Sequence, residues 1–223
     1  MFTGIIEHLG VLESLSTNEN GGRVIIHAPG LAKSLAVSKS IAVNGCCLTI
    51  TTVDGDRFSA DLSLETLRKT SFGADSSSSL RKGTRVNLEQ PLRAGQEFGG
   101  HFVLGHVDAV GRITNLNPEA AGSASWTLQV QVPKDFARYI ILKGSITIDG
   151  ISLTVANFSD GVVDIAVIPY TYEHTNLRDR QPGDPVNLEA DVLGKYIERY
   201  LESREKKNAS PHFSIDRLIE EGF

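Results

Sequence analysis

Two pairs of side chains in this sequence have the types and the spacing to act on a bound ligand. Each pair joins a small nucleophilic or hydroxyl group to a threonine two residues later: Cys47 with Thr49, and Ser152 with Thr154. Alternate residues of a β-strand project from the same face of the sheet. The members of each pair therefore share one polar face, where a thiol or hydroxyl can bind a ligand or act in nucleophilic addition.

Both pairs follow a turn signal and belong to a longer internal repeat. Asn44-Gly45 precedes the first pair and Asp149-Gly150 the second, and both dipeptides favour the positive φ angles of a tight hairpin turn. The repeat also relates residues 4–10 to 105–111 and 83–89 to 183–189. A local arrangement that occurs twice predicts two similar sites.

The elements that must position these pairs are short strands bounded by Gly, Asn and Asp. Strands are expected at 4–15, 22–27, 40–43, 46–54, 57–62 and 85–88, and again at 105–115, 125–131, 144–148, 151–158, 162–167 and 185–188. Six such strands in each half predict two small closed antiparallel barrels and an all-β fold. Short helices are expected at 31–35 and 134–139, and a surface loop at Ser76–Ser79.

The pattern changes to a helical period after the second half. Val192, Tyr196 and Tyr200, beside Leu193, Ile197 and Leu201, form a stripe typical of an amphipathic helix of about four turns. Such a helix either packs on its own domain or joins subunits, and the sequence favours neither. We expect an N-terminal barrel at 1–95, a C-terminal barrel at 96–190, and a helix and tail at 191–223, with a further short helix at 214–221.

Composition excludes several classes of function. The 223 residues include 22 Lys+Arg against 27 Asp+Glu, a net charge of −5 that does not predict binding to nucleic acid. We find no signal peptide and no apolar stretch long enough to cross a membrane, and two adjacent cysteines make no disulfide framework. A cytoplasmic protein is expected. His101 and His106 are five residues apart, a spacing that argues against a metal site.

Differences between the two halves indicate where distinct chemical roles could arise. Comparing the first copy with the second, the exchanges are Ile5 to His106, Cys47 to Ser152, Lys39 to Gly144 and Pro91 to Asp191. His106 could be a general base near neutral pH. Each residue also has an ordinary structural explanation: a histidine bonded to a carbonyl, a buried inert thiol, hydroxyls on a polar strand face, and an aspartate that caps the final helix.

Several motifs, in order through both halves, resemble the riboflavin synthases of the lumazine-binding-repeat type. They are Met1 to Ile6, Asn44 to Thr49, Glu65 to Leu67 with Thr70, Gly99 to His101, Gly105 to Asp108 and Asp149 to Thr154. The resemblance covers the chain from Met1 to about Leu201. It implies Greek-key barrels, no cofactor, and a dismutation in which one 6,7-dimethyl-8-ribityllumazine donates four carbons to another. It also implies a homotrimer formed through the C-terminal helix.

The resemblance further implies the residues of the sites. Chemistry is expected from Ser40, Cys47, His106, Ser152, Thr154 and Asp191. Binding is expected in the first barrel from Gly4, Ile5, Ile6, Cys47, Leu48, Thr49, Asp61, Leu62, Ser63, Leu64, Glu65 and Thr66, and in the second from Gly105, His106, Val107, Lys143, Ser152, Leu153, Thr154, Ile168, Pro169, Tyr170, Thr171, Tyr172 and Glu173.

The roles expected from the resemblance divide between the two ligands. His106, with Thr154 or Ser152, would assist proton removal from the donor, and Cys47 or a water would add to the acceptor. Leu104 departs from the family pattern, which more often has a small polar residue there. The main alternative is a non-catalytic lumazine- or flavin-binding antenna protein, which does not need Cys47, His106 and Asp191 together. A structural double-barrel adaptor would not explain the paired polar faces.

Overall fold

The computed structural model describes residues 1–73, 80–120, 123 and 125–208, with side chains described up to residue 204. Residues 1–191 form one compact unit and the helical residues from 192 a second. The loop predicted at Ser76–Ser79 and the short helix predicted at 214–221 lie outside the described residues.

The first barrel is a closed antiparallel sheet of six strands. They are β1 (His8–Asn18), β2 (Gly21–His27), β3 (Ser40–Val43), β4 (Cys46–Asp54), β5 (Arg57–Leu62) and β6 (Arg85–Glu89). Their order around the barrel is β1-β2-β5-β4-β3-β6. Since β2 lies beside β5 and not beside β3, strands β2 to β5 form a Greek key. Helix α1 (Leu64–Lys69) follows β5.

The second barrel repeats this topology. Its strands are β7 (Ala109–Pro118), β8 (Trp126–Gln131), β9 (Ser145–Ile148), β10 (Ile151–Ser159), β11 (Val162–Val167) and β12 (Pro185–Ala190), with helix α2 (Lys134–Ala137) after β8 and helix α3 (Pro169–His174) after β11. The sheet closes in the equivalent order. The prediction of two closed six-stranded Greek-key barrels is confirmed.

Each barrel has its own apolar core, built by the predicted alternation. Cys46, Leu48 and Ile50 of β4 point into the first core, whereas Cys47 and Thr49 lie on the outer face and are more exposed. Ile151, Leu153 and Val155 of β10 likewise fill the second core. The two chemical pairs are therefore held on rigid strands and face away from the cores.

The structure differs from the predicted elements mainly beside the sites. Helices α1 and α3 were not predicted, because six residues span fewer than two turns and show little periodicity. Local features favour both helices: Ser63 caps α1 by accepting from the Thr66 amide, and Pro169, with its fixed φ, occupies the first turn of α3. The helix predicted at 31–35 is a single 3₁₀ turn at Ala32–Ser34, and α2 ends at Ala137.

The two hairpin turns meet back to back between the barrels. Asn44 and Asp149 have φ of 44° and 46°, and Gly45 and Gly150 have φ of 75° and 80°, as the Asn-Gly and Asp-Gly signals predict. A Cβ atom added to Gly45 would lie 2.7 Å from the amide nitrogen of Gly150. The contact therefore requires glycine for close approach as well as for backbone conformation.

A buried polar network surrounds these turns. The amide of Asn87 donates to Asn44 Oδ1 over 2.8 Å, and the amide of Asn187 donates to Asp149 Oδ1 over the same distance. Each asparagine side chain then crosses to the other barrel: Asn87 Nδ2 donates to the Asp149 carbonyl and Asn187 Nδ2 to the Asn44 carbonyl, both over 2.9 Å. Buried amides that are paired in this way fix the mutual position of the barrels.

The predicted C-terminal helix is confirmed as α4 (Val192–Asn208). Its described side chains include an exposed apolar set: Leu193, Tyr196, Ile197, Tyr200 and Leu201. Among the described residues, we find no helix with both the length and the hydropathy that a membrane crossing requires.

Candidate functional site

Two irregular segments cross from one barrel to the other. We call residues 1–7 the first arm and residues 101–107 the second arm. The arms pair antiparallel at Phe2 and Val103, both of which are fully buried. Beyond this pairing, the first arm reaches the second barrel, where the Gly4 carbonyl accepts from the Ser152 amide over 2.8 Å. The second arm reaches the first barrel, where the Gly105 carbonyl accepts from the Cys47 amide over 2.8 Å.

A buried glutamate at the end of each barrel's last strand holds the arm that leaves for the other barrel. Glu89 accepts from the amides of Thr3 and Gly4, at 2.5 and 2.9 Å. Glu189 accepts from the amides of Leu104 and Gly105, at 2.7 and 3.0 Å. Burial raises the pKa of Glu89, and the donated hydrogen bonds from Thr3 and Gly4 act in the opposite direction.

This crossing corrects the grouping of site residues expected from the resemblance. The resemblance implied that residues 4–6 bind a ligand with the first barrel and residues 105–107 with the second. The structure places Gly4 against Ser152 of the second barrel and Gly105 against Cys47 of the first. Ile6 packs on the second core and Val107 on the first. Residues 4–6 and 105–107 are equivalent in sequence, but each segment contacts the barrel that the other half of the chain forms.

The Cys47 site consists of the outer face of β4 and the second arm, which meet where Gly105 rests against Cys47. Cys47 is half-buried and Thr49 is exposed, and Ser40 lies opposite Thr49 in the adjacent strand. Burial raises the pKa of the neighbouring Cys46 thiol to about 12, so Cys46 is a core residue and Cys47 is the accessible thiol. His106 follows Gly105 directly and is exposed.

The Ser152 site consists of the outer face of β10 and the first arm, and α3 lies across a groove from that arm. Ser152 is half-buried and Thr154 is exposed. Ser152 Oγ lies 2.7 Å from Nδ1 of His101, and the other ring nitrogen of His101 lies 3.1 Å from Thr147 Oγ1. Burial lowers the pKa of His101, while Asp191 acts to raise it.

The expected partnership of His106 with Ser152 is therefore not found within the chain. Ser152 contacts a different histidine, His101, and His106 adjoins Gly105, which rests against Cys47. The role of Thr154 or Ser152 beside His106 that the resemblance implies therefore stays a prediction. Asp191, which was expected to take part in chemistry, acts electrostatically on His101.

An open groove lies where the first arm meets the second barrel, in agreement with the crossing of the arms. It has a volume of about 810 Å³ and runs between the first arm and α3, with Ile6, Tyr170, Tyr172 and Glu173 in its lining. Tyr172 stacks on Trp126 of β8, with ring centroids 3.8 Å apart, and this contact fixes α3 against the barrel. A smaller groove of about 460 Å³ lies between the end of α1 and the residues that follow the second arm.

The other residues expected to bind a ligand differ in whether their side chains are accessible to it. Leu48, Leu62 and Leu153 are buried in the cores, so only their backbone is available for contact. Asp61 is paired with Arg23 on the surface, and this hydrogen bond lowers its pKa. Lys143 is exposed at the turn before β9. Exposed or half-buried side chains remain at Ile5, Ser63, Leu64, Glu65, Thr66, Ile168, Pro169 and Thr171.

Three residues at these sites were missed from the sequence. Glu89 and Glu189 end the repeated segments 83–89 and 183–189, and a charge that recurs at the end of an apolar strand was the available signal. His101 belongs to a motif of the family resemblance, but no role at a site was expected of it. At Leu104, the position that departs from the family pattern, the amide donates to Glu189. In the described part of the chain, His, Cys, Asp and Glu side chains form no cluster suited to a metal ion.

The comparison with known proteins finds the same duplication. The family model described as "Lumazine binding domain" matches residues 3–91 and again 104–191. Riboflavin synthase of Actinobacillus pleuropneumoniae is 40% identical over 223 residues and that of Bacillus subtilis strain 168 is 36% identical, each covering 100% of both chains. Riboflavin synthase of Mycobacterium bovis is 41% identical over 208 residues, or 91% of this chain and 99% of its own.

Solved structures of LumP have the same double fold. LumP in complex with 6,7-dimethyl-8-(1'-D-ribityl)lumazine superposes with a TM-score of 0.75 at 27% identity, covering 85% of this chain and 99% of its own. LumP in complex with riboflavin gives 0.76 at the same identity and coverage. Identity to LumP is lower than identity to the riboflavin synthases.

Proposed function

This chain belongs to the riboflavin synthase family of proteins with two lumazine binding domains, and from that premise we propose the reaction and the roles of its two sites. Two molecules of 6,7-dimethyl-8-ribityllumazine exchange a four-carbon unit, which gives riboflavin and 5-amino-6-ribitylamino-uracil. Both reactants are the same compound, so the protein needs two similar pockets with different chemistry. The observation that carries this conclusion is the pair of equivalent strand faces with Cys47 in one barrel and Ser152 in the other.

We assign one lumazine to the Cys47 site and one to the Ser152 site. The Cys47 site would use Thr49, the second arm and α1, and the Ser152 site would use Thr154, the first arm and α3. Both sites lie on strands and on arms anchored by buried glutamates, so the ligand-contacting groups are preorganised. Positioning two reactants face to face supplies a large part of the acceleration in such a reaction.

The proposal includes a homotrimer in the cytoplasm. Productive pairs would form where the first barrel of one subunit faces the second barrel of another. The described face of α4 supports this, since Tyr196 and Ile197 are 72% and 60% exposed and such a stripe is suited to packing against another helix. A Tyr196→Glu, Ile197→Glu variant is expected to sediment as a smaller species than the wild type. Unchanged mass would remove the helix from the interface.

The test of the reaction uses purified protein with 6,7-dimethyl-8-ribityllumazine as the only substrate. Riboflavin absorbance should increase steadily, with one riboflavin formed for every two lumazines consumed. Tight binding of lumazine without turnover would contradict the proposal and would place the chain with the non-catalytic binders. An Arg57→Ala variant, which alters only the surface pair with Glu13, should keep full activity.

A further inference from the structure

The two arms carry different side chains at the position that meets the buried glutamate. Thr3 in the first arm and Leu104 in the second occupy equivalent positions, each directly before the glycine of its arm. Thr3 Oγ1 donates to Glu89 Oε1 over 2.8 Å and accepts from the amide of Ile5 over 3.2 Å. This hydroxyl therefore links the buried carboxylate to the exposed part of the first arm.

The side chain of Leu104 can make neither of these two contacts, because it is a hydrocarbon. Glu189 accepts from the amides of Leu104 and Gly105, but this position supplies no hydroxyl to it. His106 takes the place of Ile5 in the second arm. Throughout the described residues, neither the amide nor the ring of His106 has a hydrogen-bond partner. The second arm is therefore less constrained beyond Gly105 than the first arm is at the equivalent point.

The backbones of the two arms are otherwise alike. Gly4 and Gly105 have φ of 79° and 78°. Their carbonyls accept from the amides of Ser152 and Cys47, respectively, both over 2.8 Å. A hydroxyl in the second arm would therefore have the same kind of acceptor and donor within reach as the hydroxyl of Thr3 has. The difference between the arms comes from one side chain and not from a different course of the chain.

His106 lies at the edge of the Cys47 site, since it follows Gly105, which rests against Cys47, and it is exposed. We propose that Leu104 leaves His106 free to move, and that the Cys47 site therefore exchanges lumazine and riboflavin faster than the Ser152 site does. Leu104 is a positioning residue, because it acts on the ligand only through the second arm. The inference rests on the proposed function, which supplies a ligand to each site.

The Ser152 site has the opposite character at its edge. Ile5 lies there in place of His106, and its amide is held by the Thr3 hydroxyl. A ligand leaves a pocket more slowly when the segment that closes it opens less often. One hydrogen bond of ordinary strength changes such an opening equilibrium by about 5-fold. The two sites should therefore differ in how long they retain the same ligand.

Hydrogen exchange in the ligand-free, full-length protein tests the arms without any ligand. Exchange is read at single amides by electron-transfer mass spectrometry and corrected for the intrinsic rate of each residue. In the wild type, the His106 amide should exchange about 5-fold faster than the Ile5 amide. Leu104→Thr should slow exchange at His106 by about 5-fold, because the new hydroxyl accepts from that amide. Equal rates at the two amides of the wild type would contradict the proposal.

The matched control is Leu104→Val, because valine has the shape of threonine without the hydroxyl. An effect that Leu104→Thr shares with Leu104→Val comes from the smaller side chain and not from hydrogen bonding. In the first arm, Thr3→Val removes the existing hydroxyl and should speed exchange at Ile5 by about 5-fold. Thr3→Ser, which keeps the hydroxyl, should retain the slow exchange. A general loss of structure would not distinguish the two substitutions of Thr3 in this way.

Dissociation of riboflavin tests the consequence for the sites. Protein loaded with riboflavin is diluted in a stopped-flow instrument, and the change in flavin fluorescence should show two phases, one for each site. Leu104→Thr should slow the faster phase by about 5-fold relative to Leu104→Val. Thr3→Val should speed the slower phase. A single phase in the wild type, or a faster phase that responds to Thr3→Val, would contradict the proposal.

The two measurements also separate the failure of this proposal from failure of the proposed function. Slower exchange at His106 in Leu104→Thr without slower dissociation would overturn the effect of the arm on the ligand. If the wild type makes no riboflavin from lumazine, it is the proposed function that fails, and hydrogen exchange still decides whether the arms differ. Should Leu104→Thr not fold, Thr3→Val decides: an unchanged exchange rate at Ile5 would contradict the role of the hydroxyl.

Discussion

The guanidinium of Arg180 donates to the carboxylate of Asp149 over 2.7 Å between the barrels, with side-chain exposures of 3% and 0%. Asp149 also accepts from Asn176 Nδ2 over 2.7 Å. Arg180→Ala leaves the carboxylate without its buried counter-charge and should lower the free energy of unfolding by about 3–5 kcal/mol. Urea denaturation followed by circular dichroism measures this loss.

An exposed ion pair provides the control for that experiment. Arg23 and Asp61 are 2.6 Å apart, but more than half of each side chain is exposed. Arg23→Ala should lower the free energy of unfolding far less than Arg180→Ala, because solvent screens the interaction. Equal losses from the two substitutions would show that burial of the Arg180 pair has no energetic consequence.

The contact between the hairpin turns predicts different effects for two glycines with positive φ. A Cβ at Gly45 would lie 2.7 Å from the Gly150 backbone, whereas Gly55, with φ of 56°, has no atom within 4 Å of an added Cβ. Gly55→Ala should cost only the backbone strain of about 1–2 kcal/mol. Gly45→Ala should cost clearly more and lower the melting temperature further. Similar losses would mean that close approach is unimportant.

Substitution of each buried glutamate is expected to weaken ligand binding at a different one of the two sites. Glu89→Gln replaces one acceptor oxygen with an amide group that cannot accept from Thr3 or Gly4, and an unsatisfied buried donor costs about 1–3 kcal/mol. Displacement of the first arm should weaken lumazine binding at the Ser152 site alone. Glu189→Gln should weaken the Cys47 site alone.

Calorimetric titration with lumazine distinguishes the two variants when each is combined with a substitution at one site. Glu89→Gln and Ser152→Ala act on the same site, so their combination should lose little more lumazine binding than either substitution alone. Glu189→Gln combined with Ser152→Ala should weaken binding at both sites. The reverse pattern would contradict the crossing of the arms.

The lowered pKa of His101 makes stability depend on pH in a definite direction. The folded protein binds a proton at His101 less readily than the unfolded chain, whose histidine titrates near the ordinary value of 6.5. The contribution of His101 to stability is therefore full above that value and is lost as pH falls from it toward the folded pKa. Denaturation at several pH values should show a smaller acid loss in His101→Gln. An identical pH dependence would contradict the shift.

The barrels could be predicted because their signals are local. Alternation in β4 and β10 places the apolar residues, and Asn44-Gly45 and Asp149-Gly150 set the turns, so strand positions follow from short stretches of sequence. Strand β1 starts at His8 and not at residue 4, because the preceding residues leave their own barrel. That departure depends on the Glu89 and Ser152 contacts, which are distant in sequence.

The strand faces that carry the candidate site residues were predicted, but the contacts of their side chains were not. Cys47, Thr49, Ser152 and Thr154 lie on the expected faces, since strand periodicity determines them. The partnership of Ser152 with His101 joins residues 51 positions apart through an irregular arm, for which no periodic pattern exists. The second ring contact of His101, with Thr147 of β9, likewise joins residues that are distant in sequence.

The exchanged arms also change how the two sites depend on protein concentration. A single barrel would receive its completing arm only from a second molecule, so the fraction of complete sites would fall on dilution. Joined in one chain, the arms are supplied at an effective concentration in the millimolar range for a short connection. Duplication in tandem thus converts the completion of each pocket from an encounter between molecules into a step of folding.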